Sequence, residues 1–136
     1  MTTIVLVDDH KIVRQGIKGL LEDEPDLKVI GEAANGTEGI ELVENLKPDI
    51  IISDLMMDGL NGIDVTREVR KRSPGTKTII ISMYNDSGYI TRALKEGARG
   101  YVLKGSGIDE LVTAIRRVAL GERYLSPSIT QKDGQS

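Results

Sequence analysis

The chain has 136 residues, a net charge of −3, an acidic pI near 5.2 and no cysteine. That length builds one domain around a core needing no disulfide, and the acidic balance argues against direct neutralisation of nucleic-acid phosphates. Thiol catalysis is excluded, and a single histidine, His10, excludes a His-rich zinc site. In chain order, "TIVLVDD" (3–9) predicts a strand, and Val13, Ile17, Leu20 and Leu21 form the apolar stripe of a helix. "LKVIGEA" (27–33) predicts the second strand, followed by a helix on Ile40, Val43 and Leu46 with Asn35 and Glu38 at capping distance. "DIIISDL" (49–55) is the third strand, and Val65 with Val69 supports the helix after it. "TKTIIIS" (76–82) is the fourth strand, with a helix on Ile90, Ala93 and Leu94 closed by Gly97. "RGYVLKG" (99–105) is the fifth, followed by the clearest helix, on Ile108, Leu111, Val112, Ile115 and Val118, with Ser106 and Asp109 as its expected cap and Gly121 at its end.

The strands are short, rich in Ile and Val and without polar alternation, so they read as buried on both faces. Strict alternation with helices predicts an α/β fold: a five-stranded parallel sheet with helices on both faces, a (βα)5 doubly wound arrangement over residues 1–121. "ERYLSPSITQKDGQS" (122–136) loses periodicity and reads as a linker or tail. No apolar run approaches the roughly 18 residues that cross a bilayer, and the N-terminus has no basic region with a cleavage site, so a cytoplasmic protein is expected, with no membrane partner.

Ligands of such sheets sit at the carboxyl ends of the strands. There the first strand ends in Asp8 and Asp9, the third in Asp54, the fourth in Ser82 and the fifth in Lys104. Carboxylates about 5 Å apart, at an effective dielectric near 20, repel by roughly 3 kcal/mol per pair. A cation must offset this, and a hard divalent ion with oxygen ligands, magnesium foremost, fits together with the Lys104 ammonium. No Ser or Cys stands beside a base, and neither GxxxxGK[ST] nor GxGxxG occurs. What remains is Asp54 as acceptor of a phosphoryl group, with Lys104 and Ser82 on the other phosphoryl oxygens.

"VLVDDHKIVRQGI", "DLMMDGLNG", "IIIS", "GARGYVLK" and "ALGERYLSP" together resemble the receiver domains of two-component response regulators, in particular the NarL/FixJ group with a LuxR-type helix-turn-helix output. The resemblance covers about residues 3 to 121. It implies a CheY-like, flavodoxin-like topology and phosphorylation of Asp54 by a sensor histidine kinase with Mg2+. It further implies Asp9 and Asp8 as metal ligands, direct or through water, alongside Asp54 and the Met56 backbone carbonyl, with Ser82 as switch hydroxyl, Tyr101 as switch aromatic and Lys104 as the phosphate-pairing lysine. A phosphorylation-dependent homodimer follows from the same resemblance, as does DNA binding through a C-terminal domain beyond residue 136, residues 122–136 being the linker toward it. The sequence departs from the family pattern at Asp58 and Gly105, where proline is usual. Met56 and Tyr84 occupy the variable positions.

Blander readings stand beside these. Asp9 alone would be a helix cap, Lys104 alone a solvated charge, Tyr101 a core aromatic and Ser82 a turn residue, while His10 reads as a solvated residue at the start of the first helix. A single-domain receiver acting through protein contacts is one alternative. A magnesium-dependent phosphohydrolase is another, but it wants its nucleophile on the first strand with a second acid two residues on, which "DDH" does not supply. A flavin module would need a Ser/Thr/Gly-rich first loop, and "DDHKIV" would repel its phosphate.

Overall fold

The computed structural model describes residues 1–127 and Ile129. Its elements run β1 (Thr2–Val7), α1 (Lys11–Glu22), β2 (Leu27–Ala33), α2 (Gly36–Leu46), β3 (Ile50–Asp54), α3 (Gly62–Arg72), β4 (Lys77–Ser82), α4 (Ser87–Lys95), β5 (Gly100–Leu103), α5 (Ile108–Ala119) and β6 (Tyr124–Leu125). The strands form one sheet in the order β2-β1-β3-β4-β5-β6, every pairing parallel. Winding reverses at β1, which pairs with β2 on one side and β3 on the other, and this opens a crevice at the carboxyl ends of β1 and β3.

The missing polar alternation has a direct structural cause. Ile4, Leu6, Ile50, Ile52, Ile79 and Ile81 project to the face covered by α1 and α5, where they meet Leu21, Leu111, Ile115 and Val118. The intervening Val5, Val7 and Ile51 meet Ile40, Val43, Val65 and Val69 of α2 and α3. Ile80 and Tyr101 meet Ile63 of α3 and Ile90 and Ala93 of α4. Each fully buried aliphatic side chain of this kind contributes about 1.5–3 kcal/mol. With Ile50, Ile51 and Ile52 all at zero exposure, β3 is a stiff central rod that fixes where Asp54 emerges.

Several local expectations change. The sheet has six strands rather than five: beyond Gly121 the chain returns to the sheet and pairs Tyr124 and Leu125 with Gly100 and Tyr101. Helix α5 is not capped by Ser106, because Lys104–Ser106 forms a 3-10 turn and Gly107, at φ 93°, makes the entry without a side-chain cap. Of the apolar stripe on α1, only Leu21 is buried; Val13 and Leu20 remain exposed, and Ile17 packs only partly against the core. The Asn35 cap does form, its side chain accepting from the Glu38 N–H. Gly97 and Gly121 adopt positive φ after α4 and α5, as C-terminal glycines do.

Candidate functional site

Asp8 and Asp9 lie in the turn between β1 and α1, Asp54 is the last residue of β3, and Lys104 opens the 3-10 turn after β5. The parallel register aligns these ends, with Val7 opposite Ser53 and Asp54 opposite Ile81. Ligand atoms of Asp8, Asp9, His10 and Asp54 all lie within 4.8 Å of one another. Asp8 is fully buried and Asp54 is 4% exposed, while Asp9 opens to solvent.

Lys104 bridges the two buried carboxylates: its Nζ donates to Asp54 Oδ2 at 3.1 Å and stands 3.5 Å from Asp8 Oδ2. Asp8 Oδ1 accepts from the His10 N–H at 2.9 Å, whereas Asp8 Oδ2 has no hydrogen-bond partner. A buried carboxylate oxygen without a donor is costly unless a cation completes its surroundings. Burial pushes the Asp54 carboxyl above its ordinary range; Lys104 opposes this, and the charges of Asp8 and Asp9 add to it. Three carboxylates, one of them with a buried oxygen that accepts no hydrogen bond, fit a hard divalent ion, and the His10 imidazole is the one nitrogen group in the same cluster.

Ser82 ends β4 and is fully buried. Its Oγ accepts from the Tyr84 N–H at 2.8 Å. The Tyr84 carbonyl in turn accepts from Tyr101 Oη at 2.9 Å, and the Tyr101 ring has zero exposure. Tyr101, the switch aromatic that the resemblance implies, is thus held inward in the structure. Burial raises the Tyr101 phenol's pKa, with the Ser82 hydroxyl pulling the other way, so the group stays a donor at neutral pH. Met56 lies two residues past Asp54 in the loop before α3, its side chain 45% exposed. Asp58 is exposed in the same loop, next to Gly59 at φ 81°.

Four supporting residues escaped the sequence reading. Arg14 Nη1 donates to the Asp8 carbonyl at 2.6 Å and Arg14 Nε to Glu32 at 3.3 Å, fixing the backbone of the acidic turn from α1. Asn61 and Asp64 form a reciprocal capping box that starts α3 directly beside Asp54. Gly62 allows that approach, since a Cβ there would lie 2.7 Å from the Asp54 carbonyl oxygen. Backbone cannot yield as a side-chain tip can, so Gly62→Ala is expected to cost about 1–3 kcal/mol by overpacking. Urea unfolding would read that loss, and an unchanged midpoint would show that α3 slides freely against β3. His10 is exposed at the start of α1, as expected, and its Nδ1 also lies 3.0 Å from Asp9 Oδ1 and 3.4 Å from Asp8 Oδ1.

Residues 4–116 match the family model described as the response regulator receiver domain. The chain belongs to that family. As a receiver domain it is 42% identical over 128 residues to the nitrate/nitrite response regulator protein NarL of Escherichia coli, covering 94% of this chain and 59% of NarL. It is 39% identical over 127 residues to the transcriptional regulatory protein DegU of Brevibacillus brevis, covering 93% of this chain and 54% of DegU. A LuxR-family two-component response regulator from Aurantimonas sp. superposes with a TM-score of 0.95 at 38% identity, covering 99% of this chain and 96% of that one. The receiver domain thus has its relatives among the NarL and LuxR-type response regulators, and it spans little more than half the length of NarL and DegU. None of its described helices is long and apolar enough to cross a membrane.

Proposed function

We propose that Asp54 accepts a phosphoryl group from the phosphohistidine of a sensor histidine kinase, and that the chain is the receiver part of a cytoplasmic transcription regulator. The observation that carries this is the triangle of buried Asp54 and Asp8 with partly buried Lys104, an arrangement with a cation where phosphoryl charge would build. An Asp54 oxygen attacks phosphorus, the bond from phosphorus to the imidazole nitrogen breaks, and the electron pair leaves with the imidazole, which takes a proton from solvent. Lys104 would contact one phosphoryl oxygen and the Ser82 hydroxyl another. Asp8, Asp9, Asp54 and the Met56 carbonyl would hold Mg2+, which supplies charge neutralisation at the transferring group when bound. The chain turns over no separate substrate on this reading; it assists only the gain and loss of its own phosphoryl group.

The phosphorylated aspartate carries about two negative charges and three acceptor oxygens, enough to bias a two-state surface. That bias would act on homodimerisation and, through a C-terminal helix-turn-helix domain beyond Ser136, on DNA. The regulatory names and greater lengths of NarL and DegU support this output.

Intact mass after incubation with acetyl phosphate tests the reading. The bond from phosphorus to the acetyl oxygen breaks and acetate leaves, so the expected product is one phosphoryl addition that requires Mg2+ and disappears when a chelator removes the metal. A folded protein that gains no mass, or gains it equally without metal, would remove the proposal.

A further inference from the structure

The segment after α5 is laid along the open edge of β5 as a strap. Its anchors follow that edge in order. The Tyr124 N–H donates to the Arg99 carbonyl at 2.9 Å and the Ser126 N–H to the Tyr101 carbonyl at 3.1 Å, while Ser126 Oγ accepts from the Leu103 N–H at 3.0 Å. Ser126 has zero exposure and Ile129 only 1%. The Ile129 N–H donates back to the Ser126 carbonyl at 2.9 Å, and its side chain completes the apolar cluster that contains Ile90, Ala93 and Tyr101. A polar side chain buried this fully on a sheet edge, with its hydroxyl satisfying a backbone donor of β5, marks a fitted contact rather than a passing tail.

The anchors fall on the residues that would respond to phosphorylation. Tyr101 carries both the strap's central hydrogen bond and the phenol bound to the Tyr84 carbonyl. Leu103 directly precedes Lys104, whose ammonium spans Asp8 and Asp54. Ser82 Oγ accepts the Tyr84 N–H, while its own proton meets the Tyr84 carbonyl only at 3.5 Å, the outer limit of a hydrogen bond, and otherwise faces the Tyr101 hydroxyl. The hydroxyl is therefore able to donate to a phosphoryl oxygen on Asp54 while Tyr84, Tyr101 and the strap stay in place. The docked strap and the phosphorylated site are compatible, and an outward Tyr101 would break into the cluster that Ile129 closes.

We propose that Tyr124–Ser126 together with Ile129 form a coupling strap: docked on β5 it holds Tyr101 inward and the Lys104 turn in place, favouring the phosphorylated state, and phosphorylation in turn tightens the strap. The inference rests on the phosphoryl-acceptor reading of Asp54 and adds the route by which that event reaches the chain beyond α5. Coupling of this kind is reciprocal: whatever factor the phosphoryl group gives to docking, docking gives back to its retention.

Beryllofluoride, which occupies the place of the phosphoryl group on the carboxylate without a covalent transfer, makes both directions measurable on the whole chain. Fluorine NMR of the bound species reports loading, and hydrogen exchange reports the strap. Once loaded with Mg2+, the Tyr124, Ser126 and Ile129 amides are expected to exchange about tenfold more slowly, within the usual range of coupling, while those of α2 do not change. Ser126→Ala removes the acceptor of the Leu103 N–H and is expected to weaken beryllofluoride binding by about the same factor. Ile129→Ala, acting from the other end of the strap, is expected to do likewise, so a folding defect in one variant leaves the other to decide. A loaded protein whose strap amides exchange unchanged or faster would overturn the coupling, as would variants that bind beryllofluoride as the parent does. If neither beryllofluoride nor acetyl phosphate engages Asp54, the acceptor reading itself fails and the strap loses its role with it.

Discussion

Asp54→Ala is expected to gain no phosphoryl group from acetyl phosphate under conditions in which the parent chain gains one. Neither neighbouring carboxylate is placed as Asp54 is. Asp8 is fully buried with one oxygen committed to the His10 N–H, and Asp9 lacks the Lys104 contact that Asp54 has. Residual addition in the variant, mapped to Asp8 or Asp9, would show that the pocket rather than the residue selects the acceptor. The companion variant Asp54→Asn separates chemistry from stability. Burial raises the Asp54 carboxyl above its unfolded value of 3.8, so the folded state holds the proton more tightly than the unfolded one. A raised acid adds no penalty below the unfolded value, and its penalty grows as pH rises through the window up to the folded value. Without added metal, Asp54→Asn should therefore unfold at higher temperature than the parent at pH 7, and the gap should close as pH falls toward about 4. A gap constant with pH would mean that the asparagine stabilises by packing and that ionised Asp54 is not under strain.

The carboxyl-end cluster was legible because it follows from topology alone: once five apolar strands alternate with helices, Asp8, Asp54, Ser82 and Lys104 must emerge on one edge. What failed to show was decided by contacts distant in sequence. Two residues, Tyr124 and Leu125, are too few to display a strand period, and they pair only because β5 presents an unfilled edge. Ser126 and Ile129 read as polar-tail residues, although both are buried by the same docking. Ser106 and Asp109 have the spacing of a cap, yet Gly107 can take a positive φ that lets the chain turn one residue later. The Asn61–Asp64 box carried a sequence signal that the neighbouring glycines obscured. The inward position of Tyr101 depends on the Tyr84 carbonyl, seventeen residues away, and periodicity has no bearing on it.

Lys104→Met should slow phosphoryl uptake by about 10²–10³-fold, the usual loss when one preorganised group is removed from developing charge. The methionine keeps the apolar stem and deletes the ammonium. Two further signatures distinguish this from a general loosening of the loop around Gly105. Lys104 is the largest influence holding the Asp54 carboxyl down against burial, so its removal moves the ionisation of that carboxyl to higher pH. The variant's residual rate should then climb with pH over a range in which the parent's rate is already level. Its removal also strips Asp8 Oδ2 of the one cation facing it among the described residues and Asp54 Oδ2 of its donor, which should cost about 1–3 kcal/mol in metal-free buffer. Magnesium at the same carboxylates would offset much of this, so the metal-induced rise in unfolding midpoint should be larger in Lys104→Met than in the parent. Lys104→Arg would not restore the parent's behaviour, because the planar fork cannot place one charge between two oxygens as the ammonium does. If the methionine variant kept the parent's rate and pH profile, the ammonium would be a structural counter-ion for Asp8 and Asp54, and the burden of transition-state charge would rest on the metal site and Ser82 alone.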